Sequence, residues 1–94
     1  MAIKIIIKRI VPEEKAMSLT PLLKQLRTLA TNQPGYISGE TLKRMDSPGE
    51  YLVISTWQSA GDWDRWFFSE ERKGVQDKID VLLGKITEYE IYTY

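Results

Sequence analysis

The sequence predicts an α+β fold in which two helices cover one face of a four-stranded antiparallel sheet. Two observations carry this prediction. Apolar residues alternate or run together in four short segments, as in strands, and recur at helical spacing in two longer segments. These segments follow the order β-α-β-β-α-β, which is the split βαβ, or ferredoxin-like, arrangement. Because the β-α-β crossover is right-handed, we expect both helices on the same face of the sheet.

The first third of the chain supplies one strand and one long helix. Residues 2–10 (AIKIIIKRI) are rich in β-branched side chains, which predicts the first strand. Leucines then recur at i, i+3, i+4 and i+7, which predicts a helix over residues 13–32. Pro21 fits the first turn of a helix that is capped by Ser18 or Thr20. The residues before that cap are therefore interpreted as a separate lead-in.

The middle of the chain predicts a hairpin. Residues 36–45 (YISGETLKRM) alternate imperfectly, and residues 51–57 (YLVISTW) are β-branched and aromatic. Between them, residues 46–49 (DSPG) are typical of a turn. The second and third strands are therefore expected to pair with each other.

The last third predicts a second helix and a final strand. Ser59 or Asp62 is suited to cap the helix, and Gly84 to end it. Gly74 lies within the helical pattern and is expected to weaken or divide it. Residues 86–94 (ITEYEIYTY) then alternate as the fourth strand.

The charge balance excludes two classes of partner. Thirteen basic residues equal thirteen acidic ones among 94 residues, so nucleic acid, which needs a clustered positive field, is not an expected partner. No polybasic segment favours a membrane surface. The apolar stretch Ile3–Ile10 is too short and too charged for a signal peptide or a membrane span. We therefore expect a cytoplasmic protein, folded as a single domain over residues 1–94.

The chain contains neither Cys nor His. This excludes disulfides, thiolate and imidazole metal ligands, and the usual general base near neutral pH. Asp77 and Asp80, at i and i+3, are weak as a metal pair because no third ligand is near. The prediction is that the protein has no metal site and no cofactor.

One sheet face is left uncovered by the helices. Isoleucines on both alternating sides of the first strand indicate that this second face is partly covered as well. We expect a homodimer in which this face packs against its symmetry mate. The residues available to that face include Ile6, Ile10, Tyr51 or Leu52, and one set of Tyr89, Ile91 and Thr93 or Tyr92 and Tyr94.

The three tryptophans fall within ten positions of one another, at Trp57, Trp63 and Trp66. On the predicted helix, Trp63, Trp66 and Phe67 lie at i, i+3 and i+4 and share one face toward the sheet. Large aromatic rings are commonly core in a domain of this size. The functional alternative is an apolar cavity for a planar aromatic ligand, with indole N–H groups as donors.

Two further positions could contribute polar groups to such a cavity. Arg72 and Gln76 lie one helical turn apart and could offer donors to a phenolate or a carboxylate, although solvated surface positions of this kind are common. Lys8 and Arg9 are consecutive on the first strand, so they point to opposite faces, and one of them must aim toward the helix layer. A buried Lys there could act as a base.

Three segments together resemble a known family. They are residues 34–40 (PGYISGE), 51–59 (YLVISTWQS) and 63–72 (WDRWFFSEER). This pattern resembles the antibiotic biosynthesis monooxygenase (ABM) superfamily over nearly the whole chain. The resemblance implies a dimeric α+β barrel in which each subunit has a cavity between its helices and its sheet.

The resemblance covers two branches with different chemistry. One contains cofactor-independent monooxygenases, in which a phenol or quinol of polyketide type itself reduces O₂. The other contains haem-degrading monooxygenases, which use an Asn, a Trp and a haem-ligating His. Trp66 stands at the Trp position, but Lys8 stands about where the Asn would be and Gln76 where the His would be.

The leading prediction is therefore a cofactor-independent monooxygenase for a small aromatic substrate. The candidate catalytic residues are Trp66, Arg72 and Lys8. The candidate substrate-binding residues are Trp57, Trp63, Phe67, Gln76 and Tyr36. The alternatives are a non-catalytic ligand-binding or stress-related member of the same fold and, with less support, a haem-degrading enzyme.

Overall fold

Four antiparallel strands and three helices form the structure, a computed structural model that describes residues 1–94. The predicted α+β fold is confirmed, with the strand order β2-β3-β1-β4. None of the helices has the length and apolar character needed to cross a membrane. The elements are β1 (Ile3–Ile10), α1 (Glu13–Thr31), β2 (Tyr36–Lys43), β3 (Glu50–Trp57), α2 (Ala60–Phe67), α3 (Glu70–Leu83) and β4 (Glu90–Thr93).

The register of β1 divides its side chains between two faces. Ile3 pairs with Trp57 of β3, and Ile5 pairs with Ile91 of β4. We call the helix-covered face of the sheet the inner face and the opposite one the outer face. Because side chains alternate along a strand, the inner face receives Ile3, Ile5, Ile7 and Arg9, and the outer face receives Lys4, Ile6, Lys8 and Ile10.

Helix α1 passes through Pro21 without a break, so the prediction of a separate lead-in was wrong. Its N-cap position is Pro12 rather than Ser18 or Thr20. Pro21 is exposed, and the carbonyl that loses its donor there can bond to water. The apolar stripe of α1, with Leu19 fully buried, packs against α3 along its length and holds the helix together.

The second predicted helix is two helices, and the break lies at Ser69 rather than at Gly74. The Ser69 hydroxyl donates to the Trp66 carbonyl at 2.8 Å and accepts from the Arg72 backbone N–H at 3.2 Å. It therefore satisfies a backbone group at the end of α2 and another at the start of α3. Gly74 lies inside α3, which continues through it.

Two predicted helix ends are confirmed. The Ser59 hydroxyl accepts from the Asp62 backbone N–H at 3.1 Å, so Ser59 is the N-cap of α2. Gly84 ends α3 with φ of 73°, in the left-handed region that glycine adopts without strain.

The fourth strand is shorter than predicted. Only Glu90–Thr93 pair with β1, whereas a strand over residues 86–94 was expected. Thr87 instead bonds to side chains of α3, and Tyr89 packs its ring among aromatic residues of α2. These contacts draw the segment away from the ladder before β4 begins.

The buried residues form two clusters on the inner face. One joins the sheet to α2 and contains Ile3, Ile5, Trp57, Trp63 and Trp66. The other joins α1 to α3 and contains Leu19, Val75 and Ile79. Apolar residues of α1 pack against both clusters, so this helix connects them and borders the space between.

The outer face carries a band of apolar side chains that no helix covers. The register places Leu52 and Tyr92 on this face and Tyr51 and Tyr89 on the inner one, which decides the alternatives left by the sequence. The apolar members of the band on β1, β2 and β3 are Ile6, Ile10, Leu42, Leu52 and Ile54.

Candidate functional site

A cavity of about 420 Å³ lies between α1 and the inner face of the sheet. This volume falls within the range of about 300–1,000 Å³ that is typical of small-molecule sites. Helix α1 forms one wall with Ala16, Leu19, Leu23, Leu26 and Ala30. The inner residues of β2 and β3 form the opposite wall, and α2 and α3 contribute the remaining lining.

Aromatic rings form one end of the cavity. Trp57 stacks nearly parallel to Trp66, with ring centroids 6.5 Å apart and an interplanar angle of 20°. Tyr36 meets Trp57 edge-on at 5.4 Å, and Trp63 meets it at 5.7 Å. All four residues line the cavity. This end therefore presents flat apolar surface to a ligand.

The tryptophans are core and cavity wall at once. Trp57, Trp63 and Trp66 are only 1–4% exposed and belong to the same buried cluster. The indole N–H of Trp57 donates to the Ser55 hydroxyl at 3.1 Å, so this donor is already engaged. Their rigid packing means that the shape of this wall is set before any ligand arrives.

Arg72 projects from α3 into the cavity region and is only 6% exposed. Its guanidinium donates to the Phe67 carbonyl at 3.0 Å and to the Tyr89 hydroxyl. The same group lies 4.3 Å from the centroid of the Phe67 ring and 5.1 Å from that of Tyr89. Arg72 is thus held by neutral partners and cation–π contacts rather than by a carboxylate.

Arg9 and Gln76 lie beside a polar group formed by α3 and the segment before β4. The Arg9 guanidinium donates to the Thr87 hydroxyl at 3.4 Å. The Gln76 amide donates to the same hydroxyl and to the Asp80 carboxylate, each at 2.9 Å. The Thr87 hydroxyl donates to Asp80 at 2.8 Å. Gln76 is therefore fixed by hydrogen bonds through its amide nitrogen.

Burial perturbs two ionisable groups at this end of the cavity. Desolvation lowers the pKa of Arg9, and the nearby positive charge of Arg72 lowers it further, against the raising effects of Tyr89 and Asp80. Desolvation raises the pKa of the Tyr89 hydroxyl above its ordinary value, while the charges of Arg72 and Arg9 oppose that rise. Both arginines therefore act on the same hydroxyl.

The structure brings together six of the eight predicted site residues. Trp57, Trp63, Trp66, Tyr36, Arg72 and Gln76 all line the cavity. Phe67 does not line it; the ring packs behind, against Trp63 at 5.7 Å and Tyr89 at 5.4 Å. Lys8 is on the outer face and is exposed, so its assignment to this cavity as a catalytic base was wrong. The strand alternation that buries Ile5 and Ile7 turns Lys8 away.

Two ionisable residues whose pKa values burial shifts, Arg9 and Tyr89, line the cavity but were not assigned to the site from the sequence. Arg9 shares the inner face with three isoleucines of β1. All four residues have odd numbers, and this alternation in the sequence could have assigned Arg9 to the cavity side. Tyr89 was expected within the last strand, in one of the two alternative sets of residues for the dimer face. Its position before β4, with the ring turned toward α2, depends on where the strand begins.

The arrangement can hold a planar apolar ligand and place cationic donors beside it. Its lining contains no His, and its one acidic residue, Glu40, pairs with Ile54 of the outer face, so the carboxylate points away from the cavity. No three His, Cys, Asp or Glu side chains cluster so as to hold a metal ion. The site is therefore equipped for binding and for electrostatic stabilisation, and poorly equipped for proton removal.

The chain is thus an α+β protein with a ferredoxin-like sheet and an aromatic-walled cavity beneath its helices. The family profile of antibiotic biosynthesis monooxygenases matches residues 2–78, and the chain belongs to this family. The resemblance seen in the sequence is thereby confirmed. No curated protein sequence matches the chain significantly.

Solved structures with the same fold cover nearly the whole chain. A conserved protein from Methanosarcina mazei Go1 is 25% identical, with a TM-score of 0.88 over 98% of this chain and 91% of that one. SnoaB, a cofactor-independent oxygenase from Streptomyces nogalater, is 15% identical, with a TM-score of 0.84 over 99% and 92%. Rv0793 from Mycobacterium tuberculosis is 16% identical, with a TM-score of 0.86 over 100% and 95%.

Proposed function

We propose that the protein is a cofactor-independent monooxygenase that oxidises a small electron-rich aromatic compound, a phenol or quinol, inside the cavity. The observation that carries this proposal is the preformed cavity of about 420 Å³ with three tryptophans at one end. Membership of the ABM family supports the oxygenase activity. The similarity to SnoaB, an oxygenase described as cofactor-independent, supports a reaction without a bound cofactor.

The proposed reaction balances without an external reductant. A phenol and one O₂ give a quinone and one water, so one oxygen atom enters the ring and the other leaves as water. The four electrons that reduce O₂ come from the ring carbons of the substrate. Trp57 and Trp66 hold the ring, and the Arg72 guanidinium stabilises negative charge that develops on the phenol oxygen. The apolar lining limits the access of water to reactive intermediates.

Oxygen uptake with a panel of phenols tests the proposal. With 1-naphthol and related naphthalenediols, the wild type should consume one O₂ per substrate molecule. Under ¹⁸O₂, one labelled oxygen atom should appear in the quinone. Trp66→Phe and Arg72→Ala should each reduce kcat/KM by about tenfold or more. Arg65→Ala is the matched control because Arg65 is exposed on α2 and does not line the cavity. No turnover by the wild type, or equal rates in all variants, would contradict the proposal.

A non-catalytic ligand-binding protein is the second candidate. The observation in its favour is that the lining offers no group suited to take a proton from a phenol, since its one acidic residue, Glu40, is exposed and turned to the outer face. This candidate predicts saturable quenching of tryptophan fluorescence by planar aromatic compounds without product. Turnover in the oxygen-uptake assay would exclude it.

Haem degradation has weaker support in this chain. The residue where the haem-degrading branch has its His is Gln76, whose amide nitrogen is bonded to Asp80 and Thr87. A primary amide is a poor iron ligand, and no His occurs elsewhere in the chain. Haem titration should therefore give no Soret band of a specific complex.

We also propose that the protein forms a homodimer through the outer face. Ile10 and Leu42 of its apolar band are 54% and 46% exposed, which favours cover by a second copy. Sedimentation at micromolar concentration should give twice the 10.9 kDa of one chain. Ile54→Asp should shift the protein toward the monomer. Val81→Asp should not, because Val81 is an exposed residue of α3, away from the outer face of the sheet. A wild-type monomer at that concentration would contradict the proposal.

A further inference from the structure

Positive charge is concentrated around the cavity although the chain as a whole is neutral. Thirteen basic residues balance thirteen acidic ones over the sequence. Five basic residues border the cavity: Arg9 and Arg72 are buried, and Lys24, Arg27 and Lys43 are exposed at its rim. The one acidic residue of the lining, Glu40, pairs with Ile54 of the outer face, so its carboxylate points away. A low-dielectric cleft lined by one sign of charge attracts a ligand of the opposite sign.

Arg9 is a buried cation with no direct carboxylate partner: the one acidic group that acts on it, Asp80, is reached only through the Thr87 hydroxyl. Its side chain is on the inner face, and the residue is 5% exposed. Its Nε has no hydrogen-bond partner, and its one bond, to Thr87, is 3.4 Å long. Neither Arg9 nor Arg72 forms a salt bridge; the salt bridges of the chain belong to Arg44 and Arg65. Buried charges are usually paired directly, so the open Nε of Arg9 indicates a place for an anionic ligand group.

The two arginines lie next to the aromatic end of the cavity. Tyr89 joins Arg72 to that end: its ring is 5.6 Å from that of Trp63, and its hydroxyl accepts from Arg72. Arg9 and Arg72 are close enough to influence each other and this hydroxyl electrostatically. A ligand with a ring against the tryptophans can therefore direct an acidic substituent toward the guanidinium groups.

We propose that the cavity selects an aromatic carboxylate, with its anionic group bound at Arg9 and Arg72. The inference rests on the proposed function in taking the cavity as the substrate site, and it adds the class of substrate. A carboxylate is ionised in water at neutral pH, so it supplies the missing charge without a base in the protein. The fork of an arginine matches the two carboxylate oxygens.

A second buried atom without a hydrogen-bond partner, Oε1 of Gln76, narrows the class of ligand further. Gln76 is 4% exposed and lines the cavity, and its Oε1 accepts no hydrogen bond. A buried acceptor without a donor is costly, so a ligand that donates a hydrogen bond to it gains affinity. A hydroxy-substituted aromatic acid carries both groups, an anion for Arg9 and a hydroxyl for Gln76. Such a compound is also electron-rich enough to be a substrate of the proposed oxygenation.

Calorimetric titration with two probes of the same shape tests the inference. The probes are 2-naphthoate, an anion at pH 7, and 2-naphthamide, its neutral counterpart. The wild type should bind 2-naphthoate about tenfold more tightly or better. Arg9→Met and Arg72→Met should each remove most of this preference, and Arg65→Met should retain it. The measurement needs no turnover, so it is independent of the oxygen-uptake assay.

The outcomes separate the inference from the proposed function. Equal affinity of the wild type for both probes would overturn the inference while leaving an aromatic-binding cavity in place. A preference that survives in Arg9→Met and Arg72→Met would overturn it as well. No saturable binding of 2-naphthoate would also refute it, whatever the oxygen-uptake assay shows with neutral phenols.

Discussion

Replacing Arg9 with methionine should make the protein more stable, although Arg9 lines the candidate ligand cavity. The side chain is 5% exposed, has no carboxylate partner and leaves its Nε without a hydrogen bond. The folded state therefore bears the desolvation of a charge that the unfolded chain leaves in water. Methionine fills a similar volume without that charge. Thr87, the one partner of Arg9, keeps its bonds to Gln76 and Asp80.

The expected gain in the free energy of unfolding is about 1–3 kcal/mol, from the desolvation of an unpaired buried polar group and the behaviour of buried charges replaced by apolar residues. For a chain of this size, each kcal/mol raises Tm by about 4–8 °C. Urea unfolding at pH 7 and fixed protein concentration, followed by tryptophan fluorescence, measures the gain.

Arg65→Met is the matched control for this experiment. Arg65 is exposed and its ion pair with Asp62 is 3.3 Å long, so its removal should change stability by no more than about 0.5 kcal/mol. If Arg9→Met instead destabilises the protein by more than about 1 kcal/mol, the charge of Arg9 is compensated within the fold. The argument for a missing anion would then fail.

Substitutions at four further positions test the described contacts. Gly74→Ala should stabilise α3 by about 0.5–1 kcal/mol, since a Cβ there meets nothing within 4 Å. Gly84→Ala should destabilise the protein, because φ at Gly84 is 73°. Urea unfolding of the two variants measures both effects. Ser69→Ala should reduce the free energy of unfolding by about 1 kcal/mol and Ser69→Thr by less, because only Thr retains the capping hydroxyl; equal losses would contradict the cap. Burial raises the pKa of Tyr89, so its contribution to stability is complete below about pH 10 and is lost as pH rises through the folded-state pKa. Unfolding measured from about pH 9 to 11 should therefore show a smaller alkaline loss in Tyr89→Phe than in the wild type.

The sheet and its connections could be predicted because each rests on local sequence. Alternating or β-branched runs predicted four strands, the DSPG turn predicted the hairpin, and Ser59 and Gly84 predicted two helix ends. The position of the helix break was missed for a physical reason. Gly74 weakens a helix only by its conformational freedom, which packing on α1 overcomes, whereas the Ser69 hydroxyl supplies bonds to both neighbouring helices.

The candidate site was only partly predictable. Helical spacing placed Trp63 and Trp66 on one face, and both line the cavity. Lys8 and Arg9 could not be told apart by composition, because both are cations on one strand. The burial of Ile3, Ile5 and Ile7 assigns the inner face to Arg9 by alternation, and that assignment needs the sheet to be packed.

The sequence by itself determined the order of elements, the aromatic character of the second helical segment and the absence of a histidine base. Periodicity, turn chemistry and composition are properties of the chain and need no neighbours. Only the tertiary structure decided which side chains share the cavity and which charge goes unpaired. Arg9, Arg72 and Tyr89 are far apart in sequence, and their meeting depends on how β1, α3 and the segment before β4 pack. The charge of Arg9 lacks a direct partner because that packing removes water without bringing a carboxylate into contact with the guanidinium.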